Sequence, residues 1–220
     1  MINTNDKCNG CSQPRLGAAD VFACPRCSDQ LDNPMSVLSR LLHRDVPARG
    51  LEILPMRRRD FTAIQVIEHQ VYPQPWSINV FLNEIELAKH GQRYYTVGYR
   101  GGELMGYAGM MLVLEDAHIT NIATDPKRQR SGVARHLLAD LAWEARGRGC
   151  TGLTLEVRMS NDAAQGLYRL FGFEPAGIRP RYYENSDDAI VMWCHNIDTP
   201  EYAARLRLLC PDVAEIRGQS

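Results

Sequence analysis

From about residue 51 to about residue 196, apolar and polar positions recur in regular blocks. In "DFTAIQVIEHQVY" (60–72), Phe61, Ile64, Ile67 and Val71 fall on one helical face behind Asp60, a suitable N-cap. A second helix is expected from Ser77, where Trp76 and Phe81 have the spacing of a hydrophobic staple. "RYYTVGYR" and "ELMGYAGMMLVL" read as strands joined by a Gly101-Gly102 turn, and "AHITNIAT" as a third strand ended by Asp125-Pro126. "GVARHLLADLAWEARGRG" predicts an amphipathic helix with Val133, Leu137, Leu138, Leu141, Ala142 and Ala145 on one face, stopped by Gly147 and Gly149. "TGLTLEVR" predicts a strand, "NDAAQGLYRLFGF" a helix and "AIVMWCHN" a last strand. The order α-α-β-β-β-α-β-α-β implies an α/β or α+β domain with a mixed sheet.

The flanks read differently. Residues 1–30 are short, polar and cysteine-rich, and residues 31–50 form a linker with one short helix before a Pro/Gly break. Residues 197–220 offer a helix starting at Thr199-Pro200, an N-cap followed by proline at the first helical position, and are expected to fray after it. The chain of 220 residues suits one main domain, 51–196, with an appendage. Its formal net charge of -1 makes no global case for a nucleic-acid or membrane partner. No apolar run approaches the ~18 residues that cross a bilayer, and "MINTNDKCNGCSQ" lacks the apolar core of a signal peptide. A cytoplasmic protein is expected.

That compartment changes the meaning of the cysteines. Cys8, Cys11, Cys24 and Cys27 form two CxxC pairs, and in a reducing setting such pairs more often hold metal than form disulfides. Two knuckles can set four thiolates tetrahedrally around Zn²⁺, so a small zinc-ribbon-like module is expected, structural because no coordination position stays open. A redox pair or incidental thiols are the other readings. Cys150, Cys194 and Cys210 are scattered and read as small buried hydrophobes or ordinary thiols.

The stretch "DPKRQRSGVARHLL" puts Arg128, Arg130 and Arg135 and a glycine where a helix opens. Helix N-termini present unpaired N–H groups and the positive end of the dipole, and glycine lets the backbone approach an anion. A phosphate cradle and a solvated basic turn both fit these residues.

The blocks around it carry a resemblance. "QRSGVA" resembles the Q/R-x-x-G-x-G/A signature of the GNAT N-acetyltransferases. "VYPQPWS", "TNIATDPKRQRSGVARHLL", "LTLEVRMSNDAAQGLYRLFGF" and "PRYYENSDDAIVM" are similar, in order, to blocks of the RimI-type ribosomal-protein-alanine N-acetyltransferases over residues 52 to 196. The resemblance implies the GNAT fold, a mixed, mostly antiparallel sheet flanked by helices, with acetyl-CoA as cosubstrate. It implies that Gln129, Arg130, Ser131, Gly132, Val133, Ala134 and Arg135 hold its pyrophosphate. It also implies that the backbone of Ile122, Ala123 and Thr124 pairs with the pantetheine arm and that Asn161 touches the CoA arm; by itself Asn161 reads as an N-cap.

Amine acetylation needs a base for the acceptor and an acid for the leaving thiolate. Glu156 alternates with Leu155 and Val157 on its strand and alone reads as a solvated carboxylate; the resemblance implies the general base. Tyr168 shares a helical face with Ala164, Leu167 and Phe171 and alone reads as a core ring; the resemblance implies the general acid. "RPRYYENSDD" is expected to be a loop at the acceptor cleft, where Arg181, Tyr182 and Tyr183 shape a peptide groove and Asp187 and Asp188 offer carboxylates, with an ordinary β-hairpin as the alternative. Trp76 and Glu84 are candidates for the same rim. The leading expectation is direct transfer of acetyl to the N-terminal α-amine of a protein, ribosomal with N-terminal alanine. A lysine, polyamine or other small amine as acceptor, or a zinc-ribbon factor docking on ribosome or RNA, stay open, because a fold alone does not choose the acceptor.

Overall fold

A computed structural model of the protein describes residues 50–183 and 187–217. Strands β1 (Leu51–Pro55), β2 (Arg93–Arg100), β3 (Glu103–Val113), β4 (Asp116–Thr124), β5 (Gly152–Arg158), β6 (Glu174–Tyr183) and β7 (Asp187–His195) form one sheet, ordered β1-β2-β3-β4-β5-β7-β6. All neighbours are antiparallel except β4 and β5, which run parallel. The helices are α1 (Phe61–Val71), α2 (Ile78–Lys89), α3 (Val133–Gly147), α4 (Asp162–Leu170), α5 (Pro200–Leu209) and α6 (Pro211–Arg217).

Alternation along the strands supplies two buried faces. Tyr95 and Val97 of β2, with Tyr107 and Ala123, pack under Phe61, Ile64, Ile67 and Phe81 of α1 and α2. Trp76 packs on Phe81 with ring centroids 5.5 Å apart, the expected staple. On the opposite face, the Tyr94 hydroxyl donates to Asp140 of α3 at 2.9 Å. Helix α3 buries His136, Asp140 and Trp143 as well as its predicted apolar face, because α5 and α6 cover its outer side.

Several expectations need correction. Asp60 makes no forward cap; one carboxylate oxygen accepts from the Arg57 amide at 2.7 Å and the other from the Tyr99 hydroxyl at 2.8 Å. Thr199 does cap α5, accepting from the Tyr202 amide at 3.3 Å, but the chain then re-enters a helix, burying Val213 and Ala214 instead of fraying. "RPRYYENSDD" is not a loop but the β-hairpin given as its alternative: residues 179–183 end strand β6, and Asp187 and Asp188 open β7. Strand β6 begins earlier, at Glu174. Its prolines, which argue against a central strand, are tolerated because β6 is the exposed sheet edge. The short edge strand β1 is likewise additional to the expected elements.

Cys8, Cys11, Cys24 and Cys27, and the linker residues before residue 50, lie outside the described residues. Cys150, Cys194 and Cys210 are buried. Among the described residues no helix is long and apolar enough to cross a membrane, and no group of three or more His, Cys, Asp or Glu could hold a metal ion.

Candidate active site

The parallel pair β4 and β5 touches only at its start, where residues 116–118 pair with residues 152–154. Beyond His118 the strands diverge. β4 stays paired to β3 on its other side, through an irregularity that leaves Thr120 without a partner in the register, as far as Thr124. A bulge there bends the strand away from β5. The free edge of β4 thus faces the split, with backbone groups an extended ligand can use.

A cavity of about 640 Å³ fills this split. Residues 118–122 of β4 and 155–158 of β5 form two walls, Tyr72 and Trp76 are part of a third, and Asn161, Tyr168, Tyr182 and Tyr183 add to the lining. The segment between α1 and α2 is tied down by Glu68, which accepts from the Trp76 amide at 2.6 Å and from the buried Tyr107 hydroxyl. Gln65 adds a bond to the Trp76 carbonyl at 2.5 Å. Burial pushes the Glu68 carboxyl up, against the opposing effect of the Trp76 amide.

Glu156 points into the split with its side chain only 7% exposed. Its Oε2 lies 3.1 Å from His118 Nε2 and its Oε1 lies 3.2 Å from an Arg179 guanidinium nitrogen. Burial holds the His118 imidazole below its usual value; Glu156 opposes that shift and Arg179 adds to it. The Tyr183 hydroxyl donates to the Glu156 carbonyl at 3.1 Å, and the Arg158 guanidinium covers the Tyr183 ring at 4.2 Å. Tyr168 is half-buried on the opposite wall, its ring 5.8 Å from Phe173. Burial, then Tyr183, pushes its phenol upward, so it remains a protonated donor at neutral pH. Asn161 fills both of its expected places: its Oδ1 accepts from the Ala164 amide at 3.1 Å, capping α4, and it lines the cavity.

The turn after β4 leads into α3. Gly132 precedes the helix with φ 81°, and Arg130 has φ 61°, both in the left-handed region that glycine tolerates best. Among the described residues, the amides of residues 129–134 donate to no backbone carbonyl; the first bond of the helix runs from His136 to Gly132. These free N–H groups at a helix N-terminus fit a phosphate-bearing group. Gly106 of β3 lets the helix sit this close: a Cβ there would lie 2.6 Å from the Ala123 carbonyl oxygen and 3.1 Å from Val133. Arg100 reaches the same turn, its guanidinium 3.5 Å from the Ser131 carbonyl oxygen. Arg128 is engaged with Glu103 at 3.0 Å.

Some candidates stand elsewhere. Glu84 does not line the cavity; it accepts from Arg93 and from the Tyr95 hydroxyl, each at 2.8 Å. Arg181 is not among the lining residues either; its amide donates to Asp188 at 2.8 Å while Asp187 pairs with Arg158 at 2.9 Å. Two extra residues in β6 opposite β7 make a bulge between Arg179 and Tyr183, which sets Tyr182 and Tyr183 at the cavity. His118, Arg179, Glu68 and Tyr72 are site residues with no sequence expectation. Their one sequence signal is alternation, which puts His118 on a single strand face without saying what it meets.

Residues 56–173 match the acetyltransferase (GNAT) family. The chain is 38% identical over 144 residues to ribosomal protein bS18-alanine N-acetyltransferase of Escherichia coli strain K12, across 64% of this chain and 94% of that one. It is 39% identical over 137 residues to the protein of that name from Salmonella typhimurium, across 60% and 89%. The crystal structure of the ribosomal-protein-S18-alanine N-acetyltransferase from Escherichia coli shares the fold with a TM-score of 0.60 at 34% identity, across 66% of this chain and 94% of that one. Ard1 from Thermoplasma volcanium, 22% identical, has the same fold with a TM-score of 0.61, across 66% and 97%. The family match starts just before α1, takes in both strands of the split and the amide-lined turn between them, and ends after α4; the chain belongs to the acetyltransferase (GNAT) family.

Proposed function

We propose that this acetyltransferase moves acetyl from acetyl-CoA to the N-terminal α-amine of a protein, and that the acceptor is a ribosomal protein beginning with alanine. The observation that carries the chemistry is the split itself. One buried carboxylate, Glu156, and one protonated phenol, Tyr168, line the same cavity, and the free edge of β4 runs from it to the turn of unpaired amides. The acceptor follows from the relatives, whose names specify alanine of ribosomal protein bS18.

Acetyl-CoA supplies the activated acetyl thioester when bound. The amides of residues 129–134 hold phosphate, the backbone of Ile122, Ala123 and Thr124 and the Asn161 side chain align the arm, and Tyr182 and Tyr183 shape the acceptor groove. Glu156 serves the base side of the transfer, where the incoming ammonium loses its proton, and Tyr168 donates to the departing sulfur. An α-amine, with a pKa near 8, asks less of this base than a lysine near 10.4. Most of the acceleration comes from holding amine and carbonyl together, with acid-base help of ~10²–10⁴-fold.

Incubation with acetyl-CoA and peptides bearing free or blocked N-termini, read by mass spectrometry, tests the proposal. Modification confined to free α-amines, strongest on N-terminal alanine, is expected. Reaction only at lysine side chains or with free polyamines overturns it. Separately, we propose that Cys8, Cys11, Cys24 and Cys27 hold a structural zinc ion, supported by their spacing alone. Metal analysis of the reduced full chain then gives about one zinc per chain, and a metal-free chain overturns it.

A further inference from the structure

The proton-accepting group of the site has a partner that the reading of Glu156 as a lone base omits. Both Glu156 oxygens are occupied, Oε2 by His118 and Oε1 by Arg179. The carboxylate is 7% exposed, whereas the His118 side chain is 19% exposed and lines the cavity. Both side chains line the cavity, and of the two the imidazole is the more exposed to an incoming amine.

We propose that His118 is the catalytic base of this enzyme, taking the proton from the acceptor ammonium, while Glu156 positions the ring and balances the imidazolium. The proposal rests on the acetyl-transfer reading above and refines how its base works. Magnitudes favour it. Moving a proton from an α-amine near pKa 8 to an ordinary carboxylate near 4.3 is unfavourable by ~5,000-fold and to an ordinary imidazole near 6.5 by ~30-fold, a gap that the burial of His118 narrows. The carboxylate-imidazole pairing is the arrangement that elsewhere fixes a histidine base in one tautomer and stabilises its charged form. Burial keeps the ring neutral at pH 7, ready to accept. The charges acting on it are Glu156 from β5 and Arg179 from β6; its register neighbours, Met111 on β3 and Thr154 on β5, do not titrate.

The proton balance closes. The ammonium gives one proton to His118, and the freed nitrogen bonds to the acetyl carbonyl carbon as the C–S bond breaks and its electron pair leaves on sulfur. The nitrogen's second proton ends on that sulfur by way of the Tyr168 phenol. His118 then returns its proton to solvent.

Glutamine at this position keeps a donor for Glu156 but takes up no proton, so His118→Gln separates chemistry from packing. Steady-state rates are measured from about pH 5.5 to 9.5 with whichever amine the unaltered enzyme acetylates, so a different acceptor leaves the test intact. A fall in kcat of ~30-fold or more is expected, with the acetyl-CoA KM nearly unchanged and the acidic limb moved down by over ~1 pH unit. A kcat within about twofold, or an unmoved limb, overturns the proposal. Histidine titration by NMR in the full chain gives a readout independent of any acceptor, with His118 assigned by its loss in H118Q. Its midpoint is expected below the ordinary value, and lower still in Glu156→Gln. A midpoint indifferent to Glu156 overturns the pairing.

Discussion

Adjacent residues can serve opposite sides of this molecule. Tyr94 sends its hydroxyl to Asp140 of α3, and Tyr95 sends its own to Glu84 of α2, across the sheet. Asn161 shows the reverse economy, one side chain serving two purposes at a helix start. Asn161→Ala is expected to lose about 1 kcal/mol of stability with the cap and to raise the KM for acetyl-CoA. Asn161→Ser restores the cap but not the longer amide, so thermal denaturation recovers while KM does not. Recovery of both together would mean that Asn161 acts on the cosubstrate only through α4.

At the scale of elements, α6 is held by its buried Val213 and Ala214 and by one charged anchor. Arg217 pairs with Asp140 at 2.8 Å and Glu144 at 2.7 Å, and it also donates to the Tyr94 hydroxyl. The Asp140 side chain is 3% exposed. Burial raises its carboxyl above the unfolded value and Arg217 opposes that rise. A raised carboxyl binds its proton more tightly in the folded chain, so its ionisation costs stability as pH climbs from the unfolded value through the folded one. Removing Arg217 enlarges that cost. Arg217→Met is therefore expected to lose about 3 kcal/mol at pH 7, where Asp140 is left charged and without its cation. The loss shrinks on going from pH 7 to pH 4, because Asp140 takes up its proton as the pH falls. Urea denaturation at both pH values checks this, and an equal loss at both would assign the effect to packing of the arginine stem.

Over the whole molecule, the decisive feature is a sheet that pairs for three residues and then opens. A site made by leaving backbone unpaired is completed by its ligand, so binding acts on stability. Acetyl-CoA at a hundredfold excess over its Kd is expected to add about 2.7 kcal/mol to unfolding. Gly132→Ala, forced into φ 81°, is expected to lose about 1 kcal/mol before any ligand is added and to show a smaller acetyl-CoA-induced rise in Tm. An equal rise in both proteins, read by scanning fluorimetry, would remove this turn from the binding site.

What the sequence determined by itself was whatever rests on near neighbours along the chain. The apolar period of α1 and α3, the Trp76–Phe81 staple, the Thr199 and Asn161 caps and the glycine at the start of α3 all depend on residues within a turn or two. So does the motif block from which the family, the cosubstrate turn, Glu156 and Tyr168 could be read. Tertiary structure alone decided what rests on pairing between distant strands. The prolines of "EPAGIRPRYY" argue against a strand there, and only the edge position that the sheet order confers permits them. Nothing in the chain brings His118, Glu156 and Arg179 together. They come from β4, β5 and β6, and their meeting depends on a parallel register of three residues and on β6 reaching β5 through β7. A side chain's alternation tells which face it takes; only the packed sheet tells which charge it meets there.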